Sequence, residues 1–161
     1  MRFLALLMCG VLVGLTLDSG PARAAWKREH GATCYPVSLV GYTSYQESNG
    51  LANTSTVNQT YICPYNEDSV IPRTSLTTLN VHGLQAAGAA SSASLCLKTF
   101  VSGAINVGFR CDPAATTTGA GIYTLQPVKT AWQNMSFATE YGYVKMNLTP
   151  GSSLFGIYAA F

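Results

Sequence analysis

Apolar and polar residues alternate with a period of two along two stretches of this chain. Leu79, Val81 and Gly83 interleave with Asn80 and His82, and Val144, Met146 and Leu148 interleave with Tyr143, Lys145 and Asn147. That period is the pleat of a β-strand with one face in a core and the other in water. Segments 37–45, 56–63, 74–84, 94–101, 105–111, 122–132, 141–148 and 153–161 are each rich in β-branched or aromatic residues, the side chains that suit a pleated, half-buried surface. Turn chemistry separates them: Asn49-Gly50, Asn66-Glu67-Asp68, an Ala/Ser/Gly run over 86–94, the stretch 112–121, and Pro150-Gly151. No segment carries a helical stripe. Residues 85–93 are rich in alanine, but Gly88 and the serines favour a loop. With no internal repeat or linker, these segments predict one all-β domain, an antiparallel β-sandwich that is jelly-roll-like or immunoglobulin-like in layout.

The amino-terminal segment has a different character. Arg2 precedes an apolar stretch over 3–17, followed by Pro21-Ala22-Arg23-Ala24-Ala25. A basic start, an apolar middle and a small-residue cleavage site mark a secretory signal peptide, so 1–24 is expected to be removed and 25–161 to form the sandwich. The apolar stretch is too short to span a bilayer comfortably, and Cys9 follows Leu7-Met8, where a lipid-attachment signal wants a small residue before the cysteine. The expectation is a soluble exported protein, secreted or periplasmic, with no membrane insertion after signal removal.

Cleavage leaves 137 of the 161 residues, enough for one hydrophobic core and too few for two ordinary domains. Of nine basic and seven acidic residues, Arg2, Arg23 and Asp18 lie in the removed segment, which puts the mature net charge near +1. Nucleic acid or an anionic membrane would require clustered Lys and Arg, so neither is an expected partner.

Four cysteines remain in the mature chain, Cys34, Cys63, Cys96 and Cys111. An even count in an exported chain reads as two disulfides, with three pairings available. No C-x-x-C spacing suggests zinc, and no metal or cofactor is expected. If Gly103-Ala104 is a two-residue hairpin loop, counting outward along the flanking strands sets Cys96 opposite Cys111, at a separation a disulfide accepts. Cys34–Cys63 follows by elimination.

Candidate chemistry is sparse. A nucleophilic hydrolase needs a base, and only His30, near a loose new amino terminus, and His82 are present; His82 sits on the polar side of its strand and reads as an exposed surface residue. Glu29, Glu47, Glu67, Asp68, Asp112 and Glu140 are scattered over apparent loops, with no pair that announces glycosidase chemistry. The more suggestive run is Tyr61, Tyr65, Asn66, Glu67 and Asp68, which sets aromatics beside amides and acids. Such a run can stack on a sugar face and bond its hydroxyls, although Asn66 to Asp68 also make an ordinary turn. Tyr42, Tyr45, Tyr123, Tyr141 and Tyr143 form a second set that either builds an aromatic platform or packs on strand faces. Sequons at Asn53, Asn58, Asn134 and Asn147 read as polar strand and turn residues.

Cys34-Tyr35-Pro36, the run Gly50-Leu51-Ala52-Asn53-Thr54-Ser55, Tyr61-Ile62-Cys63-Pro64, and the terminal Leu148-Thr149-Pro150-Gly151-Ser152-Ser153-Leu154 together resemble a group of small exported bacterial proteins without an assigned activity. The resemblance covers about the first third of the mature chain, with a looser echo at its end, and implies a disulfide-bearing β-sandwich. Asn147 stands where that group would place a further cysteine. Together these readings point to a secreted or cell-envelope structural or interaction protein without catalytic activity, binding an extracellular protein or glycan; the alternative is a carbohydrate-binding, lectin-like module.

Overall fold

The computed structural model describes residues 26–37, 44–47, 50–65, 75–88, 90–99, 109–134 and 140–160. They form two antiparallel sheets. The first contains β1 (Trp26–His30), β3 (Ser44–Glu47), β4 (Gly50–Asn53), β6 (Thr78–Gln85), β10 (Gly121–Leu125) and β12 (Ser153–Ala160), in the order β10-β6-β12-β4-β3 with β1 also paired to β12. The second contains β2 (Tyr35–Pro36), β5 (Gln59–Pro64), β7 (Ser92–Thr99), β8 (Phe109–Cys111), β9 (Ala115–Thr116) and β11 (Glu140–Leu148), in the order β2-β5-β11-β7-β8 with β9 also paired to β7. The fold is an all-β sandwich with two disulfides, as the alternation requires.

One core joins the sheets. Leu79, Val81, Leu154, Ile157 and Ala159 from the first sheet pack with Tyr61, Leu95, Leu97, Val144, Met146 and Leu148 from the second. Each fully buried side chain of this size contributes about 1.5–3 kcal/mol. The two alternating stretches keep the faces their pattern assigns: β6 buries Leu79, Val81 and Gly83 and leaves Asn80 and His82 half-buried outside, and β11 does the same with Val144, Met146 and Leu148.

Strand β12 crosses the middle of the first sheet. One edge pairs with β6; the other is shared by β4 at Ser153 and Leu154 and by β1 from Gly156 to Ala160. The register shifts between Leu154 and Gly156, so Phe155 bulges outward where β4 gives way to β1. Gly50 opens β4 at φ +122°, and a Cβ there would overlap the Leu154 carbonyl; only glycine serves both conditions.

The disulfides are Cys34–Cys63 and Cys96–Cys111. Cys96 lies directly opposite Cys111 in the β7–β8 register, as the hairpin count requires, although the 103–104 turn itself lies outside the described residues. Cys34 continues the β2–β5 register in which Tyr35 meets Ile62, which sets it opposite Cys63. Tyr61, Cys63 and Tyr65 face the core, so Cys34–Cys63 is an interior bridge. Leu95 and Leu97 point inward, which turns Cys96 to the other face, where it is covered although its partner Cys111 is exposed.

Two expectations about elements are corrected. Residues 122–132 are not one strand: β10 ends at Leu125 before Pro127, which has no N–H to donate to a ladder, and Thr130–Gln133 forms one turn of helix, α1. That turn lowers Trp132 into the core, where its ring meets Tyr65 edge-on at 4.9 Å between centroids and lies against the bare Cα of Gly142. His30 does not end a loose tail, because β1 pairs with β12 from Trp26 to His30.

Candidate functional site

The tyrosine-acid run does not form a surface site. Tyr61 and Tyr65 belong to the core, since alternation in β5 turns both inward with Cys63; Asn66, Glu67 and Asp68 lie outside the described residues. Of the tyrosine set, Tyr123 is also interior, its hydroxyl donating to the Ser153 carbonyl at 3.0 Å, and Tyr42 lies outside the described residues. Tyr45 falls in β3. Asp112 is buried at the end of β8, its backbone N–H donating to Leu95.

The motifs behind the family resemblance act as internal fastenings. Asn53 Nδ2 donates to the carbonyls of Leu148 at 2.8 Å and Val57 at 3.0 Å, while its Oδ1 accepts from the backbone and hydroxyl of Ser55. Thr149 and Ser152 flank the Pro150-Gly151 turn and both accept from Gln85 Nε2. Every one of these side chains is buried. They fix the ends of strands.

The outer face of the second sheet is aromatic. Tyr141 and Tyr143 stand two residues apart on β11; Tyr141 faces Lys98 of β7, which in turn faces Phe109 of β8. On the other flank Lys145 faces Ile62 and Ile62 faces Tyr35. Tyr141 is 66% exposed, Phe109 71% and Tyr35 51%. Burial pushes the Tyr143 hydroxyl above its ordinary range, and the neighbouring Tyr35 hydroxyl adds to that shift. The exposed rings stand on one face of the sheet, with Lys98 and Lys145 on neighbouring positions of the same face. Tyr35 and Phe109 were missed in the sequence because each sits on a very short strand, where alternation gives no signal.

The first sheet carries a groove of about 640 Å³ on its outer face. Two rows of outward side chains form it. In one, Arg28, Tyr158 and Asn80 follow each other across β1, β12 and β6, with the Arg28 guanidinium 5.7 Å from the Tyr158 ring centroid and Asn80 Oδ1 accepting from Gln126 Nε2 at 3.0 Å. In the other, Gly156 has no side chain and His82 beyond it lies 3.0 Å from Thr124 Oγ1 through Nδ1. Gly156 is therefore a missing tooth, and Phe155, raised by the bulge, walls the gap. His82 is thus a half-buried, partnered groove residue and not the freely exposed side chain its strand position suggests.

Among the described residues no three His, Cys, Asp or Glu side chains gather as a metal site, and no helix is long and apolar enough to cross a membrane. Comparison with family models and with curated proteins finds no match. The class of molecule is therefore set by the fold: an all-β, disulfide-bonded sandwich, whose two bridges fit an oxidising extracellular or periplasmic compartment.

Proposed function

We propose that this is an exported interaction protein that binds carbohydrate through the outer face of its second sheet. The observation that carries this reading is the grouping of Tyr35, Tyr141, Tyr143 and Phe109 on one side of a rigid sheet, three of them more than half exposed. Aromatic rings give a sugar an apolar stacking surface, and tyrosine hydroxyls and lysines supply bonds at its rim. Strands hold such rings in fixed positions, so little ordering entropy is lost when a rigid polysaccharide settles on them. Export and the signal peptide belong to the same reading, supported by the small-residue site before Ala25 and by the disulfides.

The test is a polysaccharide panel, soluble and insoluble, with the mature 25–161 protein. Tyr141→Ala and Phe109→Ala are exposed positions whose loss leaves the fold intact, and the double variant is expected to weaken binding at least tenfold, at about 1–3 kcal/mol for a lost stacking pair. Binding that survives the double variant unchanged places the glycan elsewhere. A folded protein that captures no polysaccharide in the panel ends the carbohydrate reading.

A further inference from the structure

We infer that β10 is the contact edge of a two-fold dimer, in which this margin of the first sheet pairs with the same strand of a second copy of the chain. An open strand edge leaves backbone N–H and C=O groups that another strand can satisfy, and proteins ordinarily blunt such edges with charge, proline, a bulge or extreme shortness. The other outermost strands among the described residues are blunted. Strand β1 carries Lys27, Arg28 and Glu29, and β3 ends at Glu47. Strands β2 and β9 are two residues long, with Pro36 in the former, and β8 is three residues long with Arg110 at its centre. Strand β10 has none of these devices. It ends the strand order of the first sheet, pairs with β6 without a register shift, and lies in a stretch from Pro113 to Val128 that holds no charged residue.

The side chains mark the same edge. Ile122 is 82% exposed, more than any other large apolar side chain among the described residues, and it stands opposite Leu84 of β6, which is exposed as well. Tyr123 and Leu125 turn inward, so Ile122 and Thr124 face outward. A two-fold axis normal to the sheet keeps outward residues beside outward ones. The register that engages all of β10 then sets Tyr123 beside its own copy and Ile122 opposite Thr124 of the second copy. Pairing stops at Gly121, whose φ of +110° leaves the β region, and before Pro127, which has no N–H to give. With one such edge per chain the contact is isologous and closes at two copies. A strand of five residues buries less than the roughly 1,200–2,000 Å² of a standard interface, so the dimer is expected to be reversible, dissociating at about 10–100 µM. The same axis points both second sheets in one direction, which sets two tyrosine faces toward one polysaccharide. That consequence rests on the carbohydrate reading; the dimer does not.

Sedimentation velocity of the mature 25–161 protein over about 1–500 µM tests the dimer. A shift from monomer to dimer with concentration is expected, with no larger species. Ile122→Lys sets a charge on an exposed edge position and is expected to raise the dissociation constant about tenfold or more with the melting temperature kept. Cross-linking reads the register. The four cysteines of 25–161 are paired in disulfides, so Ile122→Cys and Thr124→Cys each supply a single thiol. Mixed and oxidised, the two variants are expected to join as a covalent heterodimer, because directly opposed strand residues lie within disulfide reach. Tyr141→Ala combined with Phe109→Ala is expected to leave dimerisation untouched, which keeps this result separate from the fate of the tyrosine face. A monomer at every concentration, the outcome if the edge serves a different protein or none, overturns the proposal. A dimer that Ile122→Lys leaves intact, or growth beyond two copies, overturns it as well, and Ile122→Cys joining to itself in preference to Thr124→Cys overturns the register.

Discussion

Gln85 and Thr149, 64 residues apart in the chain, meet inside the sandwich with Gln85 Nε2 donating to Thr149 Oγ1 at 2.9 Å. The same amide gives its second hydrogen to Ser152 Oγ at 3.0 Å, and its Oε1 accepts from the Ser91 backbone and from Thr117 Oγ1, each at 2.9 Å. One side chain thus ties the ends of β6, β9 and β11 and the loops before β7 and β12. A buried network of this kind is stable only while each member is satisfied. Gln85→Leu removes both donors and the acceptor at once, leaving buried hydroxyls and an N–H short of partners at about 1–3 kcal/mol each. The expected loss is about 3 kcal/mol or more, read as a lower urea midpoint with an unchanged slope.

The two disulfides are expected to reduce in a fixed order. Cys111 is exposed on a three-residue edge strand, whereas Cys34 and Cys63 are at most 2% exposed. A thiolate reductant must reach a sulfur atom, so under native conditions Cys96–Cys111 opens first and Cys34–Cys63 resists until the fold opens. Loops of 15 and 29 residues contribute about 3.0 and about 3.6 kcal/mol in the chain-entropy model. Alkylation and peptide mapping after mild reduction settles the order, and simultaneous loss of both bridges contradicts it.

Gly142 has no room for a side chain, because a Cβ there would overlap the Trp132 indole. Gly142→Ala must push the ring off its seat against Tyr65, at an overpacking cost of about 1–3 kcal/mol. Trp132 is one of two tryptophans in the chain, so the displacement is expected as a red-shifted emission. An unchanged spectrum and melting point would mean that the ring has slack.

Alkaline pH is expected to weaken the fold through Tyr123. Burial pushes its hydroxyl well above the ordinary value of 10.0. Above about pH 10 the unfolded chain releases this proton while the folded chain keeps it, so stability is complete below that pH and falls as pH rises, by about 1.4 kcal/mol per unit. Tyr123→Phe forfeits the hydrogen bond to Ser153, about 1 kcal/mol at neutral pH, and flattens the alkaline slope. Urea melts at pH 8 and pH 11 on both proteins measure the difference.

Deleting residues 153–161 removes the strand on which β6, β4 and β1 all pair. The truncated chain is expected to be unfolded or insoluble. Retention of the full-length melting behaviour contradicts this.

The inner and outer faces of β6 and β11 and the position of Cys96 opposite Cys111 were legible in the sequence, because a period of two and a hairpin count are local geometry; the strand count was not, since the eight expected segments became twelve strands among the described residues. Pairing of the chain ends was not. β1 and β4 are short, and their partner β12 lies more than a hundred residues away, so nothing near either strand signals it. The same limit governed the candidate sites. Tyr61 and Tyr65 read as a surface pair until the packing of two sheets placed their face inside, and Tyr35 and Phe109 gained meaning only beside β11. The groove depended on Gly156, Arg28 and His82, which stand on three strands far apart in sequence. The sequence alone determined which residues of each strand share a face, since that is decided one peptide at a time. Which outward residues become neighbours was decided by the tertiary structure, because strand order is set by long-range burial that no single segment encodes.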